Sequence, residues 1–327
     1  MPAIACSERS ETPMKIFNLG SINIDHVYGL DHFVQPGETM SCDSVASFAG
    51  GKGFNQTVAL ARAGATVAHI GAVGTDGRGL VETLTREGVE VSAVAVEPEL
   101  PTGHAIIQVV PGGQNNIIIA SGANASLTEA SVQRALEGAA AGDLLLAQNE
   151  TTAVAEAIRL AHDKGMKTAL NPAPMNAKVL SLPLELVDIF IVNEIEGAEL
   201  AASDMDATRP RGRVGTQTPG SVLEELHAMF PSAHVIMTLG HDGVEAVEPC
   251  GRVTKVKAFK VNAVDTTAAG DTFTGFFLAA LSRGETIETA LRAASAAAAI
   301  SVTRPGASPS IPSRAEVKAW LATAHHA

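Results

Sequence analysis

One pattern repeats along most of the 327 residues. A short apolar run that reads as a buried strand is followed by a segment with apolar residues at helical spacing. Strand-like runs stand at Ile16-Phe17-Asn18-Leu19-Gly20, Val67 to Val73, Leu144-Leu145-Leu146, Thr168-Ala169-Leu170, Ile189-Phe190-Ile191-Val192 and Val235-Ile236-Met237-Thr238. Helical patterns cover Phe54 to Gly64, Gly79 to Gly88, Ala153 to His162 and Val222 to Phe230, and Ala293 to Ala299 predicts an alanine-rich helix packed closely on its neighbour. Such alternation builds βαβ units. The expected class is therefore α/β, a three-layer sandwich with a mostly parallel central sheet and helices on both faces.

Two stretches break the pattern. His104 to Val110 and Asn116 to Ala120 are strand-like runs joined by Pro111-Gly112-Gly113-Gln114-Asn115, which reads as a hairpin. Val27 to Val34 and Ser44 to Phe48 supply two more strand candidates. Together, about 27–48 and 102–121 predict a small β lid inserted into one domain over 14–327. A flap of this kind closes on a ligand or pairs with a second subunit; the alternative is an extension of the main sheet. Residues 1–13 are expected to form a disordered tail. Ala202 to Ser221, with Arg209, Arg211 and Arg213, reads as a solvated connecting loop.

Charge and cysteine usage narrow the partners. Lys and Arg total 23 against 35 Asp and Glu, a net charge of −12, which argues against nucleic acid or an anionic membrane. A small phosphorylated ligand remains open, because it needs only local positive potential. Cys6, Cys42 and Cys250 form no C-x-x-C pair, so neither a disulfide framework nor a zinc site is indicated. There is no apolar run of about 18 residues and no hydrophobic centre in the first dozen, which makes a reducing cytoplasm the expected location.

The chemistry concentrates in two segments. Neither G-x-x-x-x-G-K-[ST] nor a strand followed by G-x-G-x-x-G occurs. Instead, Val264-Asp265-Thr266-Thr267-Ala268-Ala269-Gly270-Asp271-Thr272-Phe273-Thr274-Gly275 leads small residues into a helix. Free N–H groups at such a start make an anion hole, and a carboxylate within it can take a proton from an attacking hydroxyl. A plain helix cap is the competing role for Asp271. The second segment, Gly50-Gly51-Lys52-Gly53-Phe54-Asn55, lets backbone approach a ligand while Lys52 and Asn55 offer hydrogen bonds. Asn23 and Asp25, in the polar turn Ser21 to Asp25 past the first strand, carry the donors and acceptors that suit sugar hydroxyls; taken singly, each would be a turn residue.

These segments resemble the ribokinase-like (PfkB) family of carbohydrate kinases. The likeness runs from Lys15 to about Val317, and is densest in Gly20 to His26, Gly50 to Asn55, Asn171-Pro172-Ala173-Pro174, Val264 to Thr274 and Ala296 to Pro312. It implies Asp271 as catalytic base, with Ala268, Ala269 and Gly270 as its anion hole. It implies sugar contacts from Asn23, Asp25, Gly51, Lys52, Gly53, Asn55 and Glu150. Asn193 and Glu196 match an N-x-x-E motif near magnesium and phosphates. Thr238, Gly240, Gly243 and Ser295 match the nucleotide site. Asp265, Thr267, Ser301, Arg304, Gly306 and Ser310 match a monovalent-cation site, with potassium implied. The implied activity is ATP-dependent phosphorylation of the primary hydroxyl of D-ribose to ribose 5-phosphate, in a homodimer clasped through the lids. Deoxyribose, a ketohexose or a nucleoside are alternative substrates, the last disfavoured by an aromatic content of 4%. A non-catalytic sugar or nucleotide sensor is the rival of another class. A dinucleotide-dependent oxidoreductase is disfavoured by the missing glycine fingerprint. Phe54 replaces a small residue of the family pattern and is expected to narrow the pocket, Asn149 replaces an apolar one, and the 202–221 loop is longer and more basic than the pattern.

Overall fold

The computed structural model describes residues 14–112, 114–203 and 218–323. The expected tail 1–13 and the central part of the loop, 204–217 with Arg209, Arg211 and Arg213, lie outside the described residues. The first strands are β1 (Lys15–Leu19), β2 (Asn23–Gly29), β3 (Ser44–Gly50), β4 (Thr66–Gly74), β5 (Glu90–Glu97), β6 (Gly103–Val109) and β7 (Asn115–Ala120). They are followed by β8 (Leu144–Gln148), β9 (Lys167–Asn171), β10 (Ile189–Asn193), β11 (His234–Thr238), β12 (Val244–Val247) and β13 (Val253–Val256). The helices are α1 (Lys52–Arg62), α2 (Arg78–Arg86), α3 (Glu129–Ala135), α4 (Val154–Asp163), α5 (Glu194–Ala201), α6 (Pro219–Met229), α7 (Ala269–Ser282), α8 (Ile287–Ser301) and α9 (Arg314–Thr323).

Nine strands form the main sheet in the order β13-β12-β11-β10-β9-β8-β1-β4-β5. All neighbours are parallel except β11–β12 and β12–β13. Strands such as β8 and the apolar run of β10 are buried along their length, because helices cover both faces. One core packs α1, α2, α7, α8 and α9 against the sheet, and a second packs α3 to α6 on the other side. Ala290, Ala294 and Ala297 of α8 are fully buried, as close alanine packing requires. Among the described residues no helix is long and apolar enough to cross a membrane.

The crossing of α1 and α7 positions the site. Residues Asp271 to Ala280 of α7 are buried in an unbroken run. A Cβ added to Gly275 would collide with the Ala59 side chain and lie 2.8 Å from the Leu60 amide nitrogen. The two backbones therefore touch where only hydrogen fits.

The lid is a sheet of its own, ordered β3-β2-β6-β7, and does not extend the main one. It also corrects the expected boundaries. Ser21 to Asp25 is not a turn: β2 starts at Asn23, which pairs with Gly50 and Gly103, so the lid begins there and not at Val27. Its strand ends at Gly29, short of the expected Val34; the Leu30 amide bonds Val109 and the chain then leaves the sheet ahead of Pro36. Strand alternation puts Asp25, Phe48, Ala105 and Ile119 on one face, and Ser47, His26, Ile106 and Ile118 on the other. In the main sheet, β1 lies between β4 and β8, so connections leave it in both directions. The crevice beyond its carboxyl end is where open α/β sheets bind ligands.

Candidate active site

Polar residues close the carboxyl ends of successive strands: Gln148 on β8, Asn171 on β9, Asn193 on β10 and Thr238 on β11. Asn171, Asn193 and Thr238 line a cleft with Lys52, Glu196, Thr266, Thr274 and the segment Ala268 to Asp271. The start of α7 has no side-chain cap, and Ala268 holds a left-handed φ of 58°. For a residue with a Cβ, such a conformation costs about 1–3 kcal/mol and persists only where its surroundings enforce it. The Ala269 amide reaches Thr266 at 3.2 Å and the Thr272 amide reaches Ala268 at 2.8 Å. The Gly270 and Asp271 amides have no carbonyl one turn back within the helix, and the space beside Gly270 is open. An anion fits there, at the positive end of the helix dipole.

Asp271 is the third residue of α7 and is buried. Gln56 Nε2 donates to its Oδ1 at 2.9 Å, and Asn55 Nδ2 donates to its Oδ2 at 3.2 Å. Burial lifts its pKa above the usual carboxylate value, opposed by the Lys52 charge and by the two amide bonds. Burial also works against the Lys52 charge, but Asp271, Glu150 and Glu196 together outweigh it and the pKa rises. Lys52 therefore stays an ammonium beside the cleft. The N-x-x-E spacing is a capping box: the Asn193 amide donates to Glu196 Oε2 at 3.0 Å, and the Glu196 amide to Asn193 Oδ1 at 2.8 Å. Burial raises the Glu196 pKa. Its second oxygen remains as an oxygen donor on the cleft wall, which fits a magnesium ion carried mainly by phosphates and water.

The lid side of the site is built around α1. Gly51, before the first turn, has φ 89°. Gly53 packs under the Gly20-Ser21 backbone, with its amide on Ser21 Oγ at 3.3 Å and its carbonyl taken by Asn18 at 2.9 Å. Glu150 accepts from Ser21 Oγ and, at 3.0 Å, from the Lys52 amide. Asn23 Oδ1 accepts from Asn124 Nδ2 at 2.7 Å, and Asn124 Oδ1 accepts from the Ile22 amide at 3.0 Å. The Asp25 carboxyl makes no hydrogen bond among the described residues, and burial with the nearby Glu150 charge raises its pKa to about 6. Asn55 Oδ1 is buried without a partner. These groups are hydrogen-bonding capacity that a polyhydroxy ligand would satisfy.

Behind the anion hole, Asp265 ties two segments. Its Oδ1 accepts from the Thr267 amide at 2.9 Å and hydroxyl at 2.6 Å, and its Oδ2 from the Gly306 amide at 2.8 Å. Burial alone would raise the Asp265 pKa, yet these bonds hold it below the usual value. The Ser301 and Ser310 hydroxyls donate to Ala298 and Ala307, and Arg304 pairs with Glu316 at 2.7 Å. What these segments can offer a cation is thus mainly backbone carbonyl oxygen, a hard donor set that fits potassium. Thr238 lines the cleft, and Gly240 and Gly243 form the turn after it, where a Cβ at Gly243 would strike the Val256 carbonyl. Ser295 lies on α8, half-buried, and is not among the residues lining that cleft.

Phe54 does not narrow the pocket. It is fully buried in the core beneath α1, while its neighbours Asn55 and Gln56 meet Asp271. Asn149 fastens the loop after β9, its amide group donating to the Pro174 carbonyl at 2.7 Å and its backbone N–H to Ala173 at 3.1 Å. Sequence reasoning passed over Gln56, Asn124 and Gln148. No signal sets them apart: Gln56 lies between Asn55 and Thr57, Gln148 runs into Asn149 and Glu150, and Asn124 stands among Gly, Ala and Ser.

Residues 14–314 match the pfkB family carbohydrate kinase description. The ribokinase of Haemophilus influenzae is 39% identical over 308 residues, covering 93% of this chain and 97% of its own. The crystal structure of ribokinase from Cryptococcus neoformans var. grubii serotype A in complex with ADP is 32% identical with a TM-score of 0.82, covering 94% of this chain and 99% of that one. The Arabidopsis thaliana ribokinase complexed with ribose and ATP is 28% identical with a TM-score of 0.80, covering 94% and 98%.

Proposed function

We propose, on the premise that the chain belongs to the pfkB family of carbohydrate kinases and is an ATP-dependent sugar kinase, that its substrate is D-ribose and its product ribose 5-phosphate. One observation carries the mechanism: Asp271 presents a carboxylate held by two side-chain amides in the same helical turn as the Gly270 amide. Ribose is supported by the 39% identity to the Haemophilus influenzae ribokinase and by the likeness to the Arabidopsis thaliana ribokinase complexed with ribose and ATP.

In this reading Asn23, Asp25, Gly51, Lys52, Asn55 and Glu150 hold the sugar hydroxyls, with Gly53 shaping the turn beneath them. Asp271 takes the proton of the primary hydroxyl as its oxygen attacks the γ-phosphoryl group of ATP. The Gly270 and Asp271 amides, in the hole shaped by Ala268 and Ala269, and the Lys52 ammonium would face the charge that develops on the transferring group. Asn193, Glu196, Thr238, Gly240, Gly243 and Ser295 form the nucleotide side. Asn193 and Glu196 would hold magnesium, which when bound neutralises phosphate charge. The carbonyls around Asp265, Thr267, Ser301, Arg304, Gly306 and Ser310 would hold potassium, which fixes the loop behind the anion hole.

Asp271→Asn keeps the shape and removes the base. Ribose and nucleotide binding should persist while turnover falls by about 10²–10⁴-fold; near-normal ADP release would sink the mechanism. ADP release with ribose, deoxyribose, fructose and adenosine, each with and without potassium, tests the substrate and the cation. Stimulation by none of them would favour the sensor.

The reading extends to a second copy of the chain seated on the lid. Val45 and Phe48 on one edge strand of the lid, and Ile117, Ile118 and Ile119 on the opposite edge strand, are 43–61% exposed, apolar surface that supports pairing.

A further inference from the structure

A chain of buried polar side chains leads away from Asp271 into the core, beyond any residue that a substrate could touch. Gln56, whose Nε2 donates to Asp271, receives a bond on its Oε1 from Gln148 Nε2 at 2.8 Å. The same Gln148 nitrogen donates to Asn18 Oδ1 at 2.9 Å. Asn18 Nδ2 donates to Thr57 Oγ1 at 2.7 Å, Thr57 Oγ1 meets His69 Nδ1 at 2.7 Å, and His69 Nε2 meets the Gly20 carbonyl at 3.1 Å. Asn18, Gln56, Thr57 and His69 have no exposed surface, and Gln148 almost none. Such residues between α1 and the three central strands β1, β4 and β8 demand an explanation, since apolar side chains would fill the space without polar partners to satisfy.

The order of donors runs one way. The Gly20 carbonyl can only accept, so His69 carries its proton on Nε2. Burial keeps the ring neutral, with a pKa lowered to about 4, so Nδ1 is an acceptor and Thr57 must donate to it. Thr57 oxygen then accepts from the Asn18 amide nitrogen. The Asn18 oxygen faces Gln148, whose nitrogen must therefore serve both Asn18 and Gln56. With its oxygen occupied, Gln56 turns its NH₂ towards Asp271. The same order is held at two further points, since Asn18 Nδ2 also donates to the Gly53 carbonyl at 2.9 Å and Gln56 Nε2 to Asn171 Oδ1 at 3.0 Å.

We propose that His69, Thr57 and Asn18, acting through Gln148 and Gln56, are positioning residues that hold the Asp271 carboxylate in the orientation and ionised state of a base. The inference rests on the reading of Asp271 as that base. The charged groups that face Asp271 are Lys52 at the start of α1, Glu150 after β8 and Glu196 on α5, and none of them is altered by changes at His69 or Thr57.

Thr57→Val interrupts the chain at nearly constant volume. The expected result is a kcat lowered about five- to tenfold with the sugar KM within twofold, and an acid limb of the kcat–pH profile displaced upward, because the ionised base has lost oriented support. His69→Phe should do the same. His69→Gln, which can accept from Thr57 and donate to Gly20, should return both kcat and the acid limb towards the parent values. A folded Thr57→Val enzyme with an unmoved acid limb overturns the proposal, as does equal loss in the Phe and Gln variants of His69. If Thr57→Val does not fold, the His69 pair decides. Failure of the underlying reading looks different: Asp271→Asn would then keep its turnover whatever the chain variants do.

Discussion

At the scale of single residues, Asp25 makes the sharpest forecast. Burial and Glu150 raise its pKa from 3.8 to about 6, so in the folded protein the ionised form, the one the proposed sugar contact needs, exists mainly above that pH. The sugar KM should rise several-fold as pH falls from about 7.5 to 5.5, and Asp25→Asn should show a high KM with no inflection in that range. The same shift bears on stability. Between about pH 4 and 6 the folded chain holds a proton that the unfolded chain releases, so Asp25 weakens the fold near neutrality, less and less as pH falls below about 6, and no longer below about 4. Calorimetry should therefore show Asp25→Asn raising Tm by about 2 °C at pH 7.5 and by less at pH 5. Asp271 and Gly51 were legible in the sequence because chemistry or backbone demanded those residue types in a tell-tale run. Gln56 and Asn124 were not, because one polar residue in a helix or loop looks alike whether it meets solvent or a carboxylate.

Between elements, the contact of Gly275 with Ala59 controls where Asp271 sits. Asp271 lies one helical turn before Gly275, and Asn55 one turn before Ala59, so the spacing of the helices at the contact sets the spacing at the site. Gly275→Ala should separate α1 and α7, lowering stability by about 1–3 kcal/mol in denaturant unfolding. It should also cut kcat by about tenfold with a smaller change in sugar KM, as Asp271 moves from its amide partners. Adding Ala59→Gly should recover part of both losses. The long buried elements were readable from their periodicity. β5, β12, β13, α3 and α9 were not: β5 is a half-exposed edge, β12 and β13 span four residues each, and α3 has too few apolar positions to show a period.

On the scale of the whole molecule, the proposed second copy has a direct test. Ile118 is 61% exposed in the middle of an edge strand. Ile118→Lys should shift sedimentation from a dimer to a monomer, and a dimer unchanged by it would place the pairing elsewhere. The three-layer body and the separate lid were both visible in the sequence, since alternation and hairpin are patterns of many residues. The junction between them was misread, because Asn23 and Asp25 have the polarity of a turn while serving as the first residues of a strand. That junction is short. Gly20, Ser21 and Ile22 alone separate β1 of the main sheet from β2 of the lid, and two of the proposed sugar contacts stand immediately beyond it. On the proposed reading, a polyhydroxy pentose would tie lid strand and helix start together, so that seating the substrate and settling the lid become one event.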